Sequence, residues 1–238
     1  MTHLVALENL QVRRAGRAVV RDLSAGIGRQ SWFGVVGANG SGKTTLLRAL
    51  GGRLPIAAGS CTIAGRDLTD DRQGRARLFG FAPPIERLPA SLTAGQLLEL
   101  AGEPVAMQQQ RCRELWRALN IPALLDRPIR EFSSGMRQRT AVALAFASPA
   151  DLVILDEPFN WLDPVAAFDL RAALAGMVAE GLTLVTALHD LVTLCGFCDA
   201  AIILADGRIT LRLDSAELRQ GQQDASGFEN KMIAALRR

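Results

Sequence analysis

Continuously apolar runs alternate along the chain with stretches whose apolar residues recur every three or four positions, a pattern that predicts strands and helices in turn. Strand-like runs fall at Leu4 to Val12, Ser31 to Val36, Leu152 to Leu155, Leu182 to Leu188 and Ala200 to Leu204. Most are apolar throughout, the pattern of strands buried on both faces of a largely parallel sheet. Thr44 to Leu50 reads as a helix with Leu46, Leu47 and Leu50 on one face, stopped by Gly51 and Gly52. Asp206 and Gly207 separate two strand-like runs as a tight hairpin turn, which places an antiparallel strand near the end of the sheet. The class is α/β.

Between Pro83 and Pro128 the alternation stops. Prolines accumulate there, helix-like patterns lie at Thr93 to Leu100 and Met107 to Leu119, and no strand is evident. This predicts a single domain over 1–238 in which a helical subdomain, 83–129, is inserted between two core segments, 1–82 and 130–213. Residues 214–238 are polar with a short apolar pattern at Met232 to Leu236, read as a terminal helix or a loose tail. Neither an internal repeat nor a low-complexity linker is visible.

Composition narrows the function classes. With 238 residues and 49% of them hydrophobic, a well-buried core is expected. Formal net charge is only +3 and the arginines are scattered, so nucleic acid is not expected as a partner. Met1 runs straight into a strand-like stretch with no apolar leader and cleavage site, which predicts a cytoplasmic chain. Its longest apolar runs, Ala141 to Ala147 and Ala200 to Ala205, fall short of the ~20 residues that cross a bilayer, so membrane contact is expected only through partner subunits. Cys195 and Cys198 form a CxxC, but a single pair without a nearby histidine supplies too few ligands for tetrahedral zinc. They are expected as core thiols.

The segment GANGSGKT, Gly37 to Thr44, fits G-x-x-x-x-G-K-[ST] and lies where that motif has physical meaning, after a strand and at the start of a helix. Gly37, Gly40 and Gly42, with Ala38, Asn39 and Ser41 between them, let backbone N–H groups turn toward phosphate oxygens, and the helix carrying Thr45 adds its positive end. Lys43 is expected on the β and γ phosphates of ATP, and the Thr44 hydroxyl on Mg2+. Lysine is otherwise nearly absent from this arginine-rich chain: the lysines are Lys43 and Lys231. A compact ammonium fits among phosphates where a planar guanidinium does not.

Leu152 to Leu155 delivers Asp156 and Glu157 to the C-terminal edge of a buried strand, where ligands bind in open α/β sheets. Asp156 is expected as the second Mg2+ residue and Glu157 as the base that polarises the attacking water. His189 follows the strand-like run Leu182 to Leu188, which places it at a neighbouring edge as a sensor of the γ phosphate.

A further motif, Phe132, Ser133, Ser134, Gly135, Met136 followed by Arg137, Gln138 and Arg139, resembles the LSGGQ-x-Q-R signature of ABC transporter ATPases. Together with Walker A at 37–44, Walker B at 152–157, DEPFNWLDP at 156–164 and His189, the resemblance covers essentially the whole chain. It implies a P-loop NTPase core of the RecA-like kind and a head-to-tail dimer with a second copy. Two ATP molecules would then be sandwiched between Walker A of one copy and the signature of the other. Ser133 and Gly135 would meet the γ phosphate, and Asp163 would correspond to the D-loop aspartate that links the two sites. The wording GMRQR and DEPFNWLDP looks most like the ATPases of bacterial ABC-2 type exporters, which pair with separate transmembrane subunits; a soluble ABC ATPase and a weakly turning-over, ATP-gated cassette are the rival readings.

Three positions depart from the family pattern. Gly80, Phe81, Ala82, Pro83, Pro84 places a proline where a glutamine is usual, leaving Glu86 as its possible substitute. Arg14 stands near the position of the aromatic residue that stacks on adenine, a role that a guanidinium can fill. Trp161 occupies a D-loop position that is normally small, which leaves packing across the dimer and filling a local pocket as alternatives.

Overall fold

The computed structural model describes residues 3–237. Strands β1 (Val5–Arg14) and β2 (Arg17–Ile27) open the chain as an antiparallel hairpin. Both turn residues, Ala15 and Gly16, have positive φ (46° and 78°), the geometry that suits the twist of a two-residue hairpin turn. Strand β3 (Trp32–Gly37) and helix α1 (Lys43–Leu50) follow, then β4 (Ala58–Ile63) and β5 (Arg66–Asp67). β1 pairs antiparallel with β4 as well, giving a four-stranded sheet in the order β2-β1-β4-β5.

That first sheet corrects one expectation. Leu4 to Val12 was grouped with the strands of the parallel sheet, yet it lies in the antiparallel one. Val5, Leu7, Leu10 and Val12 are buried while Glu8 and Asn9 are exposed, so a register shift lets the strand bury a single face. β2 escaped notice because Arg17, Arg21 and Asp22 interrupt its apolar residues, although Val20, Leu23 and Ile27 are all buried.

The remaining elements are α2 (Arg72–Leu78), β6 (Phe79–Phe81), α3 (Ala94–Ala101), α4 (Val105–Arg111), α5 (Arg113–Ala118), α6 (Ser134–Leu144), β7 (Leu152–Asp156), α7 (Pro164–Ala179), β8 (Thr183–Leu188), α8 (Leu191–Phe197), β9 (Ala200–Ala205), β10 (Arg208–Leu213), α9 (Ser215–Gln223) and α10 (Ala225–Leu236). A second sheet runs β10-β9-β3-β8-β7-β6, parallel throughout except for the antiparallel β9–β10 pair. β8 therefore lies between β3 and β7. In register, Val36 faces Leu188 and Asp156 faces Ala187, so the residues that follow β3, β8 and β7 emerge side by side at one edge. This row is the foundation of the site.

Between 83 and 129 the described residues hold helices and turns, with one isolated bridge, Thr93 to Pro128, as their extended pairing. A capping box of Thr93 and Gln96 starts α3. The single helix expected over Met107 to Leu119 is broken into α4 and α5 at Cys112, whose φ of −114° and ψ of 38° leave the helical region. Buried Gln108 uses the bend to donate to the Leu98 carbonyl at 2.8 Å. Leu98, Leu115 and Trp116 share one apolar cluster with Val153 and Leu155 of β7, which seats these helices on the sheet. The terminal segment is helical: Asp214 and Glu217 form a capping box at α9, and Phe228 and Met232 of α10 are buried. Cys195 and Cys198 are buried as well, and desolvation raises both thiols above the ordinary cysteine range. Among the described residues no helix is long and apolar enough to cross a membrane.

Candidate functional site

The phosphate-type loop occupies the turn from β3 into α1. A side chain at Gly37 would collide with the Ser41 hydroxyl and come within 2.6 Å of the Leu204 carbonyl. Gly40 and Gly42 hold φ at 83° and 108°, conformations that suit glycine. Gly42 caps α1 without a side chain, so no capping group competes for the first N–H groups of the helix, a ready site for an anion. The β9–β10 turn braces the loop from behind, with the Gly207 N–H donating to the Ser41 carbonyl at 3.0 Å and the Arg21 N–H donating to the Gly207 carbonyl at 2.8 Å. Asp206 and Gly207 do form the turn expected of them, and that turn supports the loop.

Lys43 is only 5% exposed. Its ammonium donates to the Gly37 carbonyl at 2.8 Å and stands 3.4 Å from Oε1 of Glu157, at the end of β7. The other oxygen of Glu157 accepts from Asn160 Nδ2 at 2.7 Å, and its backbone N–H donates to the Ala187 carbonyl at 3.2 Å. Glu157 holds φ at 52°, a left-handed conformation that costs about 1–3 kcal/mol at such a residue and recurs at functional sites. Gln138, on α6, donates to the Pro158 carbonyl at 3.1 Å and ties the signature helix to the same strand end. The sequence reading assigned Asn160 and Gln138 no role, although both stand inside motifs it quoted.

Asp156, beside Glu157, has the Thr44 side chain as its neighbour, and burial pushes its carboxyl above the usual carboxylate range against the lowering influence of that hydroxyl. Its Oδ1 is buried without a partner among the described residues. An orphan carboxylate oxygen next to a hydroxyl is a hard-oxygen donor pair of the kind Mg2+ takes up, so the residues present fit that ion.

His189 is exposed, one residue beyond Leu188 and therefore between Gly37 and Glu157 in the row of strand ends. None of the hydrogen bonds or ion pairs found among the described residues fixes its ring. Two clefts open on this edge. One is lined by Arg14, Val19, Gly40, Lys43, Thr44 and Glu157, the other by Thr44, Pro84, Glu86, Asp156, Asn160 and Trp161 among others. Arg14 is thus brought to the loop, and Pro84 and Glu86 to the acidic side.

Ser133 and Gly135 of the signature are not brought there. They line neither cleft. Ser133 is exposed and caps α6, its hydroxyl accepting from the Met136 N–H at 3.3 Å. A side chain at Gly135 would lie 2.7 Å from the Trp161 carbonyl, so this stretch packs closely on the D-loop. Asp163 caps α7 through the Ala166 N–H at 2.9 Å and pairs with Arg139 at 3.0 Å. Trp161 is 67% exposed and fills no local pocket.

The family model described as ABC transporter matches residues 20–160. A Fe(3+) ions import ATP-binding protein of Streptomyces coelicolor is 32% identical over 98% of this chain and 70% of its own length. A Nod factor export ATP-binding protein of Ralstonia nicotianae is 29% identical over 87% of this chain and 66% of its own. Among solved structures, an ATP-binding subunit of an ABC transporter superposes with a TM-score of 0.84 at 26% identity, covering 99% of this chain and all of that one.

Proposed function

The chain belongs to the ABC transporter family of ATP-binding proteins, and on that footing we propose that it is an ATP-hydrolysing subunit that works as a head-to-tail dimer and drives separate transmembrane subunits. The observation that carries the reading is the division of the site. Lys43, Thr44, Asp156 and Glu157 converge at one sheet edge, whereas Ser133 and Gly135 of the same copy line neither cleft there. A second copy supplies the missing half.

ATP enters as substrate with its phosphates against the loop, where Lys43 and the first N–H groups of α1 hold the β and γ phosphates. Thr44 and Asp156 would hold Mg2+, which when bound would neutralise phosphate charge. Arg14, which lines the loop cleft, stacks on the base. As phosphate draws Lys43 away, Glu157 becomes free to accept a proton from the attacking water, with Asn160 holding its orientation. His189 contacts the γ phosphate from the next strand end. From the second copy, the Ser133 hydroxyl and the N-terminal N–H groups of α6 close on the same phosphate, and Asp163 links the two sites. Pro84 has no side chain able to bind the ion or the water, so Glu86 takes the polar role on that side of the cleft.

The chain works at the cytoplasmic face of the membrane through those partner subunits, and nucleic acid has no part in the reading. Export is supported by the wording of DEPFNWLDP and by the Nod factor export relative; the iron-import relative is the specific observation that favours import. Copurification with the membrane subunit and vesicle transport decide the direction. The dimer is tested by sizing chromatography of Glu157→Gln, which is expected to shift to a dimer with ATP and to remain monomeric without it. No shift at any protein concentration would overturn the proposal.

A further inference from the structure

Trp161, Val165 and Phe168 leave 67%, 69% and 63% of their surfaces exposed. Val165 and Phe168, three positions apart, share one face of α7 in its first two turns, and Trp161 stands in the turn just before the helix. Trp161 also holds φ at 65°, in the left-handed region that bulky side chains enter at a cost. Packing on Gly135 within the turn holds that backbone, but leaves the ring uncovered within one copy.

Its place in the site accounts for that exposure. Trp161 lines the cleft of Asp156 and Asn160, while its carbonyl lies against Gly135 of the signature. The Arg139–Asp163 pair, at 3.0 Å, ties the starts of α6 and α7 together at the same point. Within one copy, Trp161 therefore stands between the half-site that copy keeps and the half-site it lends. In a two-fold assembly joining each loop to the other signature, a segment in that position lies beside the axis and meets the second copy.

We propose that Trp161, Val165 and Phe168 form an apolar seam with the second copy, anchored by Trp161 near the axis. The inference rests on the dimer proposed above and names the side chains that hold it. Apolar burial needs no nucleotide, and a central tryptophan is a frequent energetic anchor of interfaces. The seam thus lowers the protein concentration at which ATP closes the dimer.

The chain carries its own probe. Of its three tryptophans, Trp32 and Trp116 are buried at 0% and 1% exposure, so acrylamide quenching reports Trp161. In the Glu157→Gln background, ATP is expected to drive dimer formation with a blue shift of tryptophan emission and a loss of quenching. Trp161→Ala or Phe168→Ala added to that background is expected to raise the dimer dissociation constant by about 10-fold or more, measured by analytical ultracentrifugation. Phe168 lines neither cleft, so ATP affinity of the Phe168→Ala monomer should not change. Both side chains are exposed, and circular dichroism checks that the fold persists. An ATP dimer in which Trp161 quenches as in the monomer, or in which neither substitution changes the dissociation constant, would overturn the seam while leaving the dimer standing. Failure of Glu157→Gln to dimerise would overturn the dimer and the seam with it.

Discussion

Gly37 to Thr44 and Ser133 to Met136 each lead into a helix, α1 and α6, but they are held in different ways. The first is enclosed: the β9–β10 turn lies behind it, Lys43 is bonded to its carbonyls, and Asp156 and Glu157 close it from β7. The second is open: Ser133 is exposed and its hydroxyl is engaged only in capping its own helix. Both offer helix N–H groups to an anion, yet only the first has its counter-charges and base within the copy. On the reading proposed above, the difference makes phosphate binding a property of one chain and turnover a property of two.

Substitutions separate those properties. The largest effect is expected from Glu157→Gln, which should lower turnover by about 10²–10⁴-fold while ATP binding persists, as measured by phosphate release against a binding titration. A parallel loss of both would mean that Glu157 organises the loop instead of activating water. Lys43→Ala and Ser133→Asp should each lower turnover by on the order of 10²–10³-fold, but only Lys43→Ala should lose ATP binding. Asp caps a helix as well as Ser does, so Ser133→Asp keeps α6 intact and places a carboxylate where the phosphate would arrive. Loss of ATP binding by the Ser133→Asp monomer would erase the contrast between the two loops.

A smaller effect concerns stability. In the folded, metal-free chain, burial holds the Asp156 carboxyl above the usual carboxylate range, so it takes up a proton more readily than in the unfolded chain. The associated stability is complete below the unfolded pKa and is lost as pH rises through the higher folded value. Asp156→Asn, neutral at every pH, should therefore melt above wild type at neutral pH without Mg2+, with the gap closing on acidification. A constant gap across the pH range would remove desolvation as its cause. The smallest effect is expected from Pro84→Gln, which should change partner-stimulated turnover by about 2- to 10-fold, since a placed hydrogen bond contributes ~0.5–1.5 kcal/mol. Unchanged basal rate and unchanged stimulation would show that Pro84 has no part in coupling.

Much of the enclosed half was legible in the sequence because its residues are contiguous and chemically constrained. Gly37 to Thr44, Asp156 and Glu157 lie at the ends of strands whose unbroken apolar runs announce burial. β2, β4, β5 and β6 were harder to see: charged residues interrupt β2, while β5 and β6 have only two and three residues. The break at Cys112 is a backbone departure within an unbroken apolar pattern, which periodicity does not encode. The open half was legible only as a resemblance. That Gly135 packs on the Trp161 carbonyl, that Gln138 reaches Pro158 and that Asn160 holds Glu157 are contacts across or within loops, visible once the strands are in register.

The claim that one site is shared by two chains is tested most directly by mixing Lys43→Ala, dead in its loop, with Ser133→Asp, dead in its signature. Each homodimer has no intact site, whereas the heterodimer has one, made from the loop of the Ser133→Asp copy and the signature of the Lys43→Ala copy. An equimolar mixture is therefore expected to recover about a quarter of wild-type turnover if pairing is random. A mixture no more active than its separate components, under conditions where the heterodimer is seen to form, would contradict the account.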